Sequence, residues 1–144
     1  MSLEEGCKMR PRAKILVIDD DPDLVEALKI ILETKSYGVV SAFDGEKGLE
    51  KVKEENPDLI ILDLLLPKED GAVLCRELKR NPRYTDIPIL VLTAVAEKVN
   101  TRLFPKYEMS SLPADDYVEK PIRPQDLLVR VDKLLAQHKE GDRK

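Results

Sequence analysis

The sequence predicts an α/β fold of the form (βα)5, in which five short strands alternate with five helices around one parallel sheet. Three observations predict it. Apolar runs of strand length recur along the 144 residues. Segments with helical spacing of apolar residues separate them. Three of the runs are nearly continuous Ile, Leu and Val, as expected of parallel strands covered on both faces. Strand-helix alternation of this kind builds a three-layer sandwich with right-handed crossovers.

The first strand is Lys14–Ile18. Leu24, Leu28, Ile31 and Leu32 follow as one helical stripe, with Asp21 or Asp23 placed to cap it. Gly38–Ala42 is the second strand, and Asp44 caps a helix carrying Leu49 and Val52. That helix ends at Asn56-Pro57, because the residue before a proline is pushed out of the α region. Leu59–Leu62 is the third strand. Asp70-Gly71 opens a third helix with Leu74 and Leu78 on its inner face, and Asn81-Pro82 ends it. The fourth strand is Ile87–Leu92. The helix after it should stop near Phe104, since Pro105 would remove a hydrogen bond and clash with the preceding turn. Tyr117–Val118 is the fifth strand. Leu127, Val131, Leu134 and Leu135 stripe the last helix, with Pro124 in its first turn, where a missing N–H costs nothing. Residues 1–12 and 139–144 read as loose ends, leaving 13–138 as a single domain.

Composition narrows the function classes. A formal charge of −4 is spread over both signs, with no basic excess to serve a nucleic-acid surface. No apolar stretch approaches the ~18 residues of a membrane span, and the first residues lack the apolar core of a signal peptide. A cytoplasmic protein is the expectation. Cys7 and Cys75 are too few and too far apart for a disulfide framework or a metal cluster. Cys75 reads as a small helical residue, and the single histidine, His138, as part of a solvated helix end.

The informative residues are polar groups that follow the apolar runs: Asp19 and Asp20, Asp63, Thr93 and Lys120. In open α/β sheets the ligand crevice lies outside the carboxyl ends of the strands. Three carboxylates brought together there repel one another unless a cation intervenes. Mg2+ suits such a site: it takes oxygen ligands, keeps several waters, and is held by one or two carboxylates plus a phosphate oxygen. Mn2+ is the alternative ion. Any one of these aspartates alone would be read as a helix cap or a turn residue. The coincidence of four strand ends favours a site.

The strings Ile15-Leu16-Val17-Ile18-Asp19-Asp20-Asp21, Asp58-Leu59-Ile60-Ile61-Leu62-Asp63 with Pro67 and Asp70-Gly71, Leu92-Thr93-Ala94, and Asp116-Tyr117-Val118-Glu119-Lys120-Pro121 resemble the receiver domain of bacterial two-component response regulators. The resemblance covers residues 13 to about 138. It implies a flavodoxin-like fold with sheet order 2-1-3-4-5. It makes Asp63 the phosphoacceptor, whose carboxylate attacks the phosphorus of a phosphohistidine on a sensor histidine kinase or phosphotransfer protein. Asp20, Asp63 and the backbone carbonyl of Leu65 match the metal ligands, with Asp19 acting through a water. Lys120 matches the cation on the phosphoryl group, aimed inward by a cis bond to Pro121. Thr93 and Tyr117 match the switch pair that carries the change to the face formed by the fourth helix, the fifth strand and the last helix. The implied protein is a signalling phosphoacceptor that catalyses only its own phosphorylation and dephosphorylation. It would act on an output domain or effector protein, with no direct nucleic-acid or membrane binding.

Two departures from the family pattern stand out. Leu65 and Val95 are apolar where fast-dephosphorylating relatives carry polar groups, which predicts a long-lived phosphoryl state. The interval between Thr93 and Lys120 is longer than usual, with Pro105 to Pro113 replacing the common approach to the fifth strand. Phe104, Tyr107 and Met109 fall there, either packed on the core or presented to a partner. Because many receivers dimerise through this face, the resemblance does not carry a homodimer over to this chain. An alternative from another class is a haloacid dehalogenase-type phosphatase, with Asp19 as nucleophile and Asp21 as acid. It leaves Asp63 without a role and requires a longer chain.

Overall fold

Short β-rich runs alternating with amphipathic segments resolve, in a computed structural model, into a single parallel sheet flanked by helices. The structure describes residues 13–64, 71–93 and 113–142, the side chains of Thr93 and of residues 138–142 apart. In chain order the described elements are β1 (Lys14–Ile18), α1 (Pro22–Glu33), β2 (Gly38–Ala42), α2 (Gly45–Glu55), β3 (Leu59–Asp63), α3 (Gly71–Arg80), β4 (Ile89–Thr93), β5 (Asp116–Glu119) and α4 (Pro124–Asp142). The five strands are ordered β2-β1-β3-β4-β5, and every neighbouring pair is parallel. This is the flavodoxin-like order that the resemblance implies.

The period of two in each strand divides the core between the two faces. Leu16, Ile18, Ile60, Leu62, Ile89 and Val91 point to one side, where they meet Val52 of α2 and Leu74, Cys75 and Leu78 of α3. Ile15, Val17, Leu59, Ile61, Leu90 and Leu92 point to the other, against Val25, Leu28 and Leu32 of α1 and Leu127, Val131 and Leu134 of α4. Most of these side chains are wholly buried. Burying each contributes about 1.5–3 kcal/mol, which is why the central strands tolerate no polar residue before their carboxyl ends. Only Asp19 and Asp63 are buried charged residues among those described.

The helix boundaries follow local chemistry. Asp21 accepts from the amides of Asp23 and Leu24 at the start of α1, and Asp44 accepts from Lys47 N–H at the start of α2. Asn56 ends α2 in the left-handed conformation, with φ of 51°, and Pro57 follows. Several boundaries depart from expectation, and β3 and β4 each end one residue later than read, at Asp63 and Thr93. Strand β4 begins at Ile89 and not Ile87, because Pro88 has no amide to give to a ladder. Strand β5 is longer than Tyr117–Val118, running Asp116–Glu119. Helix α4 continues past residue 138 to Asp142, since Gln137 to Glu140 contain no residue that breaks a helix. The expected helix ending near Phe104, and the apolar residues Phe104, Tyr107 and Met109, lie outside the described residues, as does Asp70. Asp132 of α4 accepts from the Tyr37 hydroxyl ahead of β2.

Cys75 is fully buried. That burial pushes its thiol up from 9.0 to about 11, against a smaller opposing effect of the Lys79 ammonium. The unfolded chain therefore loses this proton at lower pH than the folded one. The stabilisation is complete below 9.0 and lost as pH rises through about 11, an effect on the order of 2 kcal/mol. Urea unfolding between these pH values should show the stability gap between the unsubstituted chain and Cys75→Ala narrowing as pH rises.

Candidate functional site

Strand pairing alone brings two of the predicted residues side by side. Ile18 of β1 is in register with Leu62 of β3, so Asp19 and Asp63, each the next residue, emerge abreast at the carboxyl edge of the sheet. Asp20 follows and is exposed. Oxygens of Asp19, Asp20 and Asp63 lie within 4.8 Å of one another. The neighbouring Asp21 is occupied with capping α1 and stays out of the cluster.

Backbone contacts hold this edge in place. Asp19 N–H donates to the Ala42 carbonyl at 3.1 Å, and Leu64 N–H donates to the Leu92 carbonyl at 3.1 Å. Asp19 Oδ1 accepts from Asp21 N–H at 3.0 Å, which orients the carboxylate. The start of α3 is pressed against the backbone of Asp63: Gly71 N–H donates to the Leu64 carbonyl at 3.1 Å. A Cβ at Gly71 would lie 2.2 Å from the Asp63 carbonyl oxygen. Glycine is required here by space, since the obstructing atoms are backbone.

Lys120 supplies the positive charge. It follows β5, two strands away from β3 across β4, and its Nζ reaches Asp19 Oδ2 at 3.2 Å and Asp63 Oδ1 at 3.8 Å. The Lys120-Pro121 peptide is cis, as the resemblance implies. With Asp19 and Asp63 buried, both contacts form in a region of low dielectric where charge pairing is strong.

Thr93 ends β4 in register with Glu119, next to Asp63 along the sheet edge. Tyr117 lies in β5, half-buried against the α3 side of the core. Burial holds its phenol above the ordinary range, with Cys75 and then Asp115 and Asp116 adding to the effect. Leu65 and Val95 lie outside the described residues.

The donor set fits a hard divalent ion. Three carboxylates against one ammonium leave a formal excess of two negative charges, and the available donors are all oxygens. The phosphatase reading is not favoured by this geometry. It assigns Asp21 as an acid, whereas both its contacts come from helix amides, and it leaves the buried Asp63 idle.

Two groups of polar contacts were not anticipated from the sequence. Arg130 of α4 donates to both Asp116 oxygens at 2.9 Å and to the Tyr117 carbonyl at 3.1 Å. Lys79 of α3 donates to the Thr85 and Ile87 carbonyls at 3.1 and 2.9 Å and pairs with Asp115 at 2.9 Å. Nothing local in the sequence marks either group, since a lysine or arginine on an amphipathic helix reads the same whether solvated or bonded.

This combination of parallel-sheet order, clustered aspartates and an opposed lysine defines a receiver module. A profile of the response regulator receiver domain matches residues 15–132, and the chain belongs to that family. It is 43% identical over 124 residues to the DNA-binding dual master transcriptional regulator RpaA of Synechocystis, covering 86% of this chain and 49% of that protein. The figures are the same for the alkaline phosphatase synthesis transcriptional regulatory protein PhoP of Bacillus subtilis. The chain thus spans about half the length of these curated relatives. Among solved structures, the signal receiver domain of a signal transduction histidine kinase from Syntrophus aciditrophicus has a TM-score of 0.79 at 33% identity, covering 87% of this chain and 91% of its own. A CheY-like receiver domain protein from Methanospirillum hungatei has a TM-score of 0.78 at 27% identity, with 89% and 97% covered. This chain is therefore a receiver domain of the two-component response regulator class.

Replacing Gly71 by Ala should destabilise the fold by about 1–3 kcal/mol. Gly48→Ala should cost less, because the nearest atom there is the flexible tip of Ile18. Thermal unfolding of the two variants side by side tests this ranking.

Proposed function

We propose that Asp63 is the phosphoacceptor of this receiver, taking a phosphoryl group from the phosphohistidine of a histidine kinase or phosphotransfer protein. One observation carries the reading: a buried Asp63 shares its surroundings with two further carboxylates within 4.8 Å and with the Lys120 ammonium at 3.8 Å. A carboxylate is a weak nucleophile, so rate must come from alignment and from neutralising charge on the transferred group. Asp63 Oδ attacks phosphorus, the bond to the donor nitrogen breaks, and its electron pair leaves with the imidazole. The product is an acyl phosphate on Asp63.

Asp20, Asp63 and the Leu65 carbonyl would hold Mg2+, or Mn2+ in its place, with Asp19 acting through a water. Bound there, the ion would supply charge neutralisation at the phosphoryl oxygens. Lys120, already between Asp19 and Asp63, exchanges its contact with Asp63 for a phosphoryl oxygen. Thr93 and Tyr117 serve as the switch pair, the first at the sheet edge beside Asp63 and the second at the rim of the α3 side of the core. Phosphorylation then shifts a population between two packings, by no more than the difference in phosphoryl contacts between them. The module works in the cytoplasm and passes its state to an output domain or effector, such as the DNA-binding function in RpaA's name.

Incubation with acetyl phosphate and Mg2+, followed by intact-mass measurement, tests the assignment. The unsubstituted chain should gain one phosphoryl group and Asp63→Asn none. No gain, or equal gain in both, contradicts it. The phosphorylated chain, freed of donor, should keep its label far longer than seconds, because Leu65 and Val95 offer an attacking water no polar support.

A further inference from the structure

The weakest point of the frame is the strand that carries Lys120. Strand β5 has only four residues, Asp116–Glu119, and it pairs with β4 alone. Of these four only Val118 is buried. Register is strongly specified where one face of a strand is fully buried and weakly specified otherwise. Each residue of a strand advances about 3.3 Å, so a slip by one would move Lys120 out of reach of both Asp19 and Asp63. Its present contacts are 3.2 and 3.8 Å. A slip would also exchange the faces of Tyr117 and Val118, which now lie against opposite sides of the core.

The far end of the strand carries a pin against such a slip. Asp115 N–H donates to the Ile89 carbonyl at 2.9 Å, and Asp115 Oδ2 accepts from Ile89 N–H at 2.8 Å. One residue therefore closes both hydrogen bonds of the first residue of β4 and sets where β5 starts. The Lys79 side chain is only 14% exposed, and its Nζ reaches the same Oδ2 at 2.9 Å. Its other contacts are the Thr85 and Ile87 carbonyls of the segment leading into β4. The ammonium thus joins α3, the approach to β4 and the residue before β5. Arg130 grips Asp116 and Tyr117 from α4, whereas the hydrogen bonds of Asp115 go to the first residue of β4.

From this arrangement we propose that Lys79, acting through Asp115, is a positioning residue for phosphoryl transfer: it sets the register of β5 on β4 and so places Lys120 between Asp19 and Asp63 from the opposite end of the strand. The role rests on the proposed phosphoryl chemistry of Lys120. It predicts that a change far from the site, at the amino end of the sheet, alters the site's cation and not merely stability.

The test uses Lys79→Met, Lys120→Ala and the double variant of the full chain, held well below their unfolding temperatures, with Lys51→Met as a control for loss of one exposed charge. Displacing Lys120 should slow mass gain from acetyl phosphate about ten- to a hundredfold. It should also tighten Mg2+ binding by calorimetry several-fold, because a competing cation leaves the carboxylates. In the Lys120→Ala background, Lys79→Met should change neither quantity. Asp115→Asn, which keeps an oxygen for Ile89 N–H, should act in the same direction more weakly and stands in if Lys79→Met does not fold. Unchanged rate and Mg2+ affinity in folded Lys79→Met, or an effect that multiplies with Lys120→Ala, overturns the positioning role. Absence of both Mg2+ binding and mass gain in the unsubstituted chain overturns the phosphoacceptor reading itself.

Discussion

Three carboxylates held within 4.8 Å of one another are unfavourable unless positive charge is brought to them, and the rest of this structure is organised around that constraint. Two of the three are buried at the ends of β1 and β3, whose other buried residues are aliphatic. Water cannot screen them there, so the Lys120 ammonium counts for more than a surface lysine would. The remaining excess of negative charge suits the edge to a hard divalent ion and, on the proposed reading, to a phosphoryl group beside it. A site with four matched residues but no charge imbalance would have nothing to gain from either.

The sheet sets the precision of this arrangement. Register between β1 and β3 puts Asp19 and Asp63 abreast, and the Gly71 approach fixes the backbone of Asp63 against α3. Lys120 has no such central strand beneath it. It stands on an edge strand whose anchorage comes from polar contacts with α3 and α4, through Lys79, Asp115, Asp116 and Arg130. On the proposed reading signal and chemistry would share a strand, since Tyr117 and Lys120 sit three positions apart on β5 and its end.

Much of this was legible in the sequence because parallel strands buried on both faces read as unbroken aliphatic runs. Where Ile15 to Ile18 and Leu59 to Leu62 stop, Asp19 and Asp63 appear, and a charge that ends an apolar run has few positions to occupy. The cap of the first helix was narrowed to Asp21 or Asp23, and the cap Asp44 was equally plain, since the chemistry of caps is local. The Lys79 to Asp115 pair was not, because a lysine in the last turn of an amphipathic helix looks the same in sequence whether it is solvated or bonded to carbonyls. The extent of α4 and the start of β4 were also blurred, one by the absence of a helix breaker before Gly141 and the other by apolar Ile87 preceding a proline that cannot join a ladder.

The charge balance at the sheet edge is tested most directly by Mg2+ titration of the unsubstituted chain and of Asp20→Asn, with binding heat as the readout. Asp20 is the exposed member of the cluster, so the substitution removes one ligand charge and leaves the buried core unchanged. A single site in the unsubstituted chain, weakened at least about tenfold in the variant, a loss of about 1.4 kcal/mol, is the predicted result. Equal affinity in the two proteins would contradict the account.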